Sequence, residues 1–173
     1  YEKLRGWFAE QAGEKLPEMI RLSAGFGYGA KSENKIILGQ AWATWKAKDK
    51  ITQVFLSPEV ADPIEILAIM VHELVHVIDN CEHKHAKEFR EIALAVGLTG
   101  KMTEVHVTDE LRDYLALLAI ELGDYPHSAL IVTRTRKLGG PDGKPTTDRG
   151  RSGPGTQGTR MIKFECLGCG WTG

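Results

Sequence analysis

Residues 63–98 read PIEILAIMVHELVHVIDNCEHKHAKEFREIALAVGL, and this stretch decides the fold. From Ile66 to Ile78 it is apolar on nearly every helical face, which predicts a central, buried helix. Asp62 stands where a side chain caps the first turn, Pro63 suits the first helical position, and Glu65 falls where a capping box puts its carboxylate. Within the apolar run only His72, Glu73 and His76 are polar.

Those three residues form an HExxH motif. Side chains four apart on a helix are neighbours, about 6 Å along the axis and about 40° apart around it. His72 and His76 can therefore share one metal ion. Glu73 lies next to the first of them, within reach of water at an open coordination position. A carboxylate in an otherwise apolar helix costs several kcal/mol unless something offsets it, and a zinc ion with its water does so.

A catalytic zinc takes a third protein ligand. Downstream candidates are Asp79, Cys81, Glu82, His83, His85 and His106. A second helix is expected at 85–96, with Phe89, Ile92, Ala93 and Val96 on one side and Gly97 as its stop. His85 falls on that same face and is the leading candidate, with His83, just before the helix, as the alternative. Asp79 and Cys81 are so close to His76 that the helix must unwind for them to serve.

The flanking segments differ in period. Leu4, Trp7, Phe8 and Ala12 predict a helix over 2–13, and Leu111, Tyr114, Leu115, Leu118 and Leu122 predict another over 109–122, capped by Thr108 and stopped by Gly123. Segments 19–24, 36–45 and 51–56, rich in β-branched and aromatic residues, predict three short strands in an antiparallel meander. Two further strands are expected at 129–133 and 160–165, around a stretch at 139–159 dense in Gly, Pro, Ser and Thr and expected to be mobile. The predicted fold is α+β: a small three-stranded antiparallel sheet packed on the HExxH helix, two to three further helices, a C-terminal hairpin and a partial zinc ribbon. The predicted organisation is a domain at 1–133, a basic flexible segment at 134–160 and a CxxC tail at 161–173.

Composition narrows the function classes. At 173 residues, 42% hydrophobic and 26% charged, the chain suits one globular domain with a small appendage, not a fibrous or disordered protein. A net charge of −1 excludes a polycation, so any nucleic-acid surface must be local. No apolar run approaches the ~18 residues of a membrane span, and no signal peptide opens the chain. Three cysteines (Cys81, Cys166, Cys169) are too few for a disulfide framework, which points to a reducing, cytoplasmic compartment. Cys81 is expected to be an ordinary buried residue near the helix end. Of Trp7, Trp42, Trp45 and Trp171, the first three suit core or cleft packing. The chain begins with Tyr1 and stops four residues after Cys169, so both ends are expected to be clipped relative to the natural protein.

Two C-terminal features carry further chemistry. Cys166 and Cys169, in the sequence CLGCGW, form half of a zinc ribbon, a candidate second and structural metal site if the ribbon is complete. Arg134, Arg136, Lys137, Lys144, Arg149, Arg151, Arg160 and Lys163 face only Asp142 and Asp148 across the same stretch, a local excess that can neutralise phosphates.

The segment 63–98 resembles the SprT-like zinc metalloproteases, which include the Spartan-type DNA–protein crosslink proteases. Their pattern is HExxH, a variable turn, then a third histidine in an H-G-x-x-F context. His72, Glu73 and His76 match the first part; His85 and Phe89 match the second, with Ala86 where the family usually has glycine. The resemblance covers about 19–133. Residues 51–58 look like the family's edge strand, and 100–103 with 125–127 look like its phage-encoded branch, which would place the protein in a host cytoplasm. The resemblance implies a zinc-dependent endopeptidase acting on DNA-associated proteins, with DNA, single-stranded or crosslinked, as a partner and no membrane. It implies His72, His76 and His85 as ligands, Glu73 as general base, and a C-terminal ribbon. In such an enzyme a peptide could add to the edge at 53–56, and Tyr125 or His127 could serve as oxyanion donor.

A second reading belongs to another class: a nucleic-acid-binding or adaptor protein, such as a phage host-takeover or anti-defence factor, with a largely structural zinc site. Glu73 separates the two, because a structural site needs no carboxylate beside an open coordination position. Peptide deformylases also use HExxH but take a cysteine ligand from upstream, and no cysteine precedes Cys81.

Overall fold

The computed structural model describes residues 1–29 and 36–132, all within the unit Tyr1–Arg134. The expected basic segment, the CxxC tail and the strand at 160–165 lie outside the described residues. Helix α1 (Glu2–Gln11) is followed by strands β1 (Arg21–Ala24), β2 (Gly39–Trp42) and β3 (Gln53–Leu56), then helices α2 (Pro63–Ile78) and α3 (Lys87–Ala95). Strands β4 (Leu98–Lys101) and β5 (Glu104–Val107) form an antiparallel pair before helix α4 (Asp109–Leu122). The class is α+β.

Helix α2 forms where its caps and apolar run place it. Asp62 accepts from the Glu65 N–H at 2.8 Å, and Pro63 opens the helix without wasting a donor. Its Ile66, Met70, Val71, Leu74, Val75 and Val77 are buried, and it packs against α3, α4, β2 and β3. Phe8, Phe89, Leu98, Leu111 and Leu115 complete a core with no accessible surface to speak of. Helix α1 is latched to this body by Trp7, which stacks on Tyr114 at 4.2 Å and donates its indole N–H to the Val96 carbonyl at 3.0 Å. Gly97 ends α3 at φ +95, where a Cβ would lie 2.8 Å from the Leu111 Cβ, so only glycine lets the hairpin and α4 close on α3.

Four expectations change. The three-stranded sheet is mixed, in the order β1-β3-β2: β1 runs parallel to β3 and β2 antiparallel to it. A meander needs a short hairpin at each turn. Here β1 and β2 do not pair with each other, and only β2 and β3 are consecutive antiparallel neighbours. Strand β3 therefore has neighbours on both sides and is no edge, so a peptide cannot add at 53–56.

The first arm of the expected C-terminal hairpin is not a strand among the described residues. Over 129–132 the one backbone bond in evidence runs from Leu130 N–H to the Pro58 carbonyl at 2.8 Å, and Ile131 is 95% exposed. Apolar composition without a partner edge does not make a strand. Instead the hairpin is β4–β5. Trp45, expected in core or cleft packing, is 60% exposed. Among the described residues no helix is long and apolar enough to cross a membrane.

Candidate metal centre

His72 and His76 stand one turn apart on α2, and the loop after that helix returns His85 to them. His85 Nε2 lies 3.2 Å from His76 Nε2 and 3.2 Å from His72 Nε2. The three ligating atoms lie within 4.8 Å of one another, and among the described residues no other such group exists. Nitrogens held tetrahedrally by one ion at about 2.0–2.1 Å are spaced about 3.3 Å apart, so the donor set fits a metal. The alternatives Asp79, Cys81, Glu82, His83 and His106 are not part of this group.

Helix α3 begins at Lys87, two residues later than expected, with Ala86 at its N-cap. His85 is therefore a loop residue, not a member of the helical face. Ala86 has φ −75, so alanine meets no backbone strain there. The strain sits earlier: Asn80, Cys81 and Lys84 adopt left-handed φ of +50, +60 and +53. Asparagine tolerates this conformation, whereas it costs Cys81 and Lys84 about 1–2 kcal/mol each. Asp79, whose side chain is 5% exposed, holds the loop in that shape. Its Oδ1 accepts from Cys81 N–H at 2.8 Å and its Oδ2 from His83 N–H at 3.1 Å. His83 stays beside this carboxylate, 3.7 Å away.

Phe89, fully buried, touches all three imidazoles, with ring centroids 5.1, 4.3 and 4.9 Å from His72, His76 and His85. It forms the apolar backing of the cluster. Burial by such surroundings pushes His72 down to about 4 and His76 to about 3, with the neighbouring imidazoles adding to the effect. Both rings are thus neutral at pH 7, the form that ligates metals. His72 Nδ1 is buried without a partner among the described residues, so no carboxylate or carbonyl there orients that ring.

Glu73 is 6% exposed, and burial pushes its carboxyl up to about 7, while the Ala41 backbone N–H works in the opposite direction. Strand β2 approaches it closely: a Cβ on Gly39 would lie 2.6 Å from Ile69 Cγ2 and 2.7 Å from Glu73 Cγ and Oε1. Gly39→Ala is expected to displace β2 from α2, destabilising the protein by about 1–3 kcal/mol in urea unfolding. An unchanged midpoint would mean that the strand does not need this approach.

The metal-free protein should respond to pH in two directions. Between about pH 6.5 and 4 the unfolded chain protonates His72 and His76 while the fold does not, so stability falls as pH falls. Glu73 has the opposite sign: its contribution is full below about 4.5 and is lost as pH rises through about 7. Two histidines outweigh one glutamate, so thermal unfolding of the chelated protein should peak near pH 6–7 and fall more steeply on the acid side. A rise in stability from pH 6 to 4 would contradict this balance.

The cluster lies in an open cleft of about 720 Å³, lined on one side by residues 36–41 and on the other by Leu98, Thr103, Glu104 and Val107 of the β4–β5 hairpin. Cys81 also lines it, half-buried rather than buried, with its thiol pushed up to about 11 by burial and by the Asp79 and Glu73 carboxylates. Tyr125 and His127 are not brought here. Tyr125 lines a separate cavity with Pro63, Ile66, Leu67 and Met70, on the opposite face of α2. His127 Nδ1 lies 2.8 Å from the Ser128 carbonyl. Cys166, Cys169 and the basic residues from Arg134 to Lys163 lie outside the described residues.

Two features of the site escaped the sequence reading. The hairpin wall of the cleft gave no alternating pattern at Leu98–Lys101, where one residue in four is buried. Gly39 did carry a signal, since a glycine inside a strand marks a bulge or a close backbone approach. No family model, no curated protein and no solved structure matches this chain, so its reading rests on the site itself.

Proposed function

We propose that the protein is a zinc-dependent endopeptidase acting on DNA-associated proteins. The observation that supports this best is Glu73, a buried carboxylate raised to about 7, next in sequence to a three-histidine cluster and in the same cleft. A purely structural metal site has no use for it. A set of three imidazole ligands favours zinc, which lowers the pKa of water toward neutrality and polarises a carbonyl.

The chain's own residues supply the rest. His72, His76 and His85 would hold the ion. Glu73 takes a proton from water onto its carboxylate and returns it to the leaving amine, a task suited to a group whose pKa lies near the working pH. Strand β2 is the sheet edge beside the cleft, so an extended substrate would add there rather than at β3. The apolar residues Ile36, Leu38, Ile69 and Val107 give its side chains a partly dry bed.

A chelator should abolish cleavage of an unfolded DNA-binding protein, and one equivalent of zinc should restore it. Cleavage that survives metal removal would rule out this mechanism.

A further inference from the structure

The β2–β3 link carries an exposed aromatic ring among lysines. Residues 43–50 read ATWKAKDK. Ala43 and Ala47 are 3% and 7% exposed and pin the 3-10 turn Thr44–Lys46 to the core, which leaves Trp45 60% exposed. Tryptophan buries more apolar surface than almost any side chain, so a fixed turn that holds it in water calls for a partner. The turn is anchored elsewhere too. Asn80 Oδ1 accepts from the Thr44 N–H at 2.9 Å and its hydroxyl at 3.1 Å. That bond ties the turn to the loop carrying Cys81 and Lys84, which line the metal cleft.

Lys46, Lys48 and Lys50 are exposed, and none forms an ion pair among the described residues. Lys46 Nζ lies 4.4 Å from the centre of the Trp45 ring. The one acid in the segment, Asp49, is already engaged: Oδ2 accepts from Arg21 Nε at 2.8 Å and Nη2 at 2.6 Å, and Oδ1 from the Ile51 N–H at 3.2 Å. Lys48 and Lys50 therefore stand without an acidic partner among the described residues, while Lys46 lies over one face of the Trp45 ring and leaves the other open.

We infer that Trp45 with Lys46, Lys48 and Lys50 is a docking surface for single-stranded nucleic acid, with one base stacked on the indole and phosphates on the ammonium groups. Unpaired bases offer the π-face that an exposed ring takes, and three exposed lysines within five residues offer the positive charge that a phosphate backbone seeks. A duplex offers the phosphates but hides the bases. The surface deepens the DNA-directed part of the proposed function, yet it is independent of the metal chemistry, and its test reads binding alone.

The full chain is titrated with a fluorescent twenty-nucleotide oligo(dT) by anisotropy and by quenching of tryptophan emission, alongside Trp45→Ala and the triple substitution K46E/K48E/K50E. Zinc content and thermal unfolding of each variant report folding. The expected results are quenching on binding and a loss of about tenfold in affinity for Trp45→Ala, with most of the quenching gone. The triple variant should bind more weakly and show a shallower salt dependence, by about two on the logarithmic slope. Duplex DNA of the same length should bind Trp45→Ala and the parent alike. Absence of oligonucleotide binding, or a Trp45→Ala variant that binds and quenches like the parent, overturns the proposal. So does loss on charge reversal alone, which would leave only unspecific attraction. Protein capture through Trp45 without oligonucleotide binding would assign the surface to a protein partner instead.

Discussion

Replacing His85 with alanine is expected to lower zinc affinity by more than about a hundredfold, while His83→Ala leaves it within a few-fold. Loss of residues that only orient a ligand already costs 10–100-fold, so loss of a ligand must exceed that. The contrast follows from the loop. Nε2 of His85 lies 3.2 Å from both helical imidazole nitrogens, whereas His83 stands beside Asp79 on the outer side and is 45% exposed. Competition against a chromophoric chelator measures both affinities, and circular dichroism checks the fold. Equal losses at the two positions would mean that the loop does not select its histidine as described.

Phe89→Ala should be the most destabilising single change near the site, by about 3–5 kcal/mol. The ring is fully buried, lies on α3 where that helix meets α2, and contacts all three imidazoles. Truncation removes core burial and the apolar backing of the cluster together. Metal affinity should therefore fall in the same variant, even in the fraction that folds. Phe89→Leu keeps more volume and should lose less of both. Denaturant unfolding of the chelated proteins gives the stability, and chelator competition the affinity. If Phe89→Ala were destabilised yet bound zinc as tightly as the parent, the ring would be a core residue only.

The helices were legible because their signals are local. Asp62 and Thr108 accept from the N–H three residues on, as their positions predict, and Gly123 ends α4 at φ +79. The HExxH pair was legible for the same reason, since spacing alone places His72 and His76. His85 does come to the helical pair, but not as part of the expected helical face. It lies in a loop shaped by Asp79 and three left-handed residues, and no periodicity encodes that. Strand order was beyond reach. Nothing within 19–56 states that β3 inserts between β1 and β2, because pairing is decided by which edge is free when the sheet closes on α2. Trp45 was misread because its composition suits a core, while the two buried alanines beside it fix which way the turn faces.

The most direct test of the central claim is cleavage of an unfolded DNA-binding protein by Glu73→Gln against the parent, with zinc content measured in both. Glutamine keeps the shape of the side chain that β2 covers but cannot carry a proton between water and the leaving amine. Zinc should stay at one equivalent while the rate falls by about 10²–10⁴. Cleavage at the parent rate in a zinc-loaded Glu73→Gln protein would contradict the assignment of Glu73 as base, and with it the proposed enzyme.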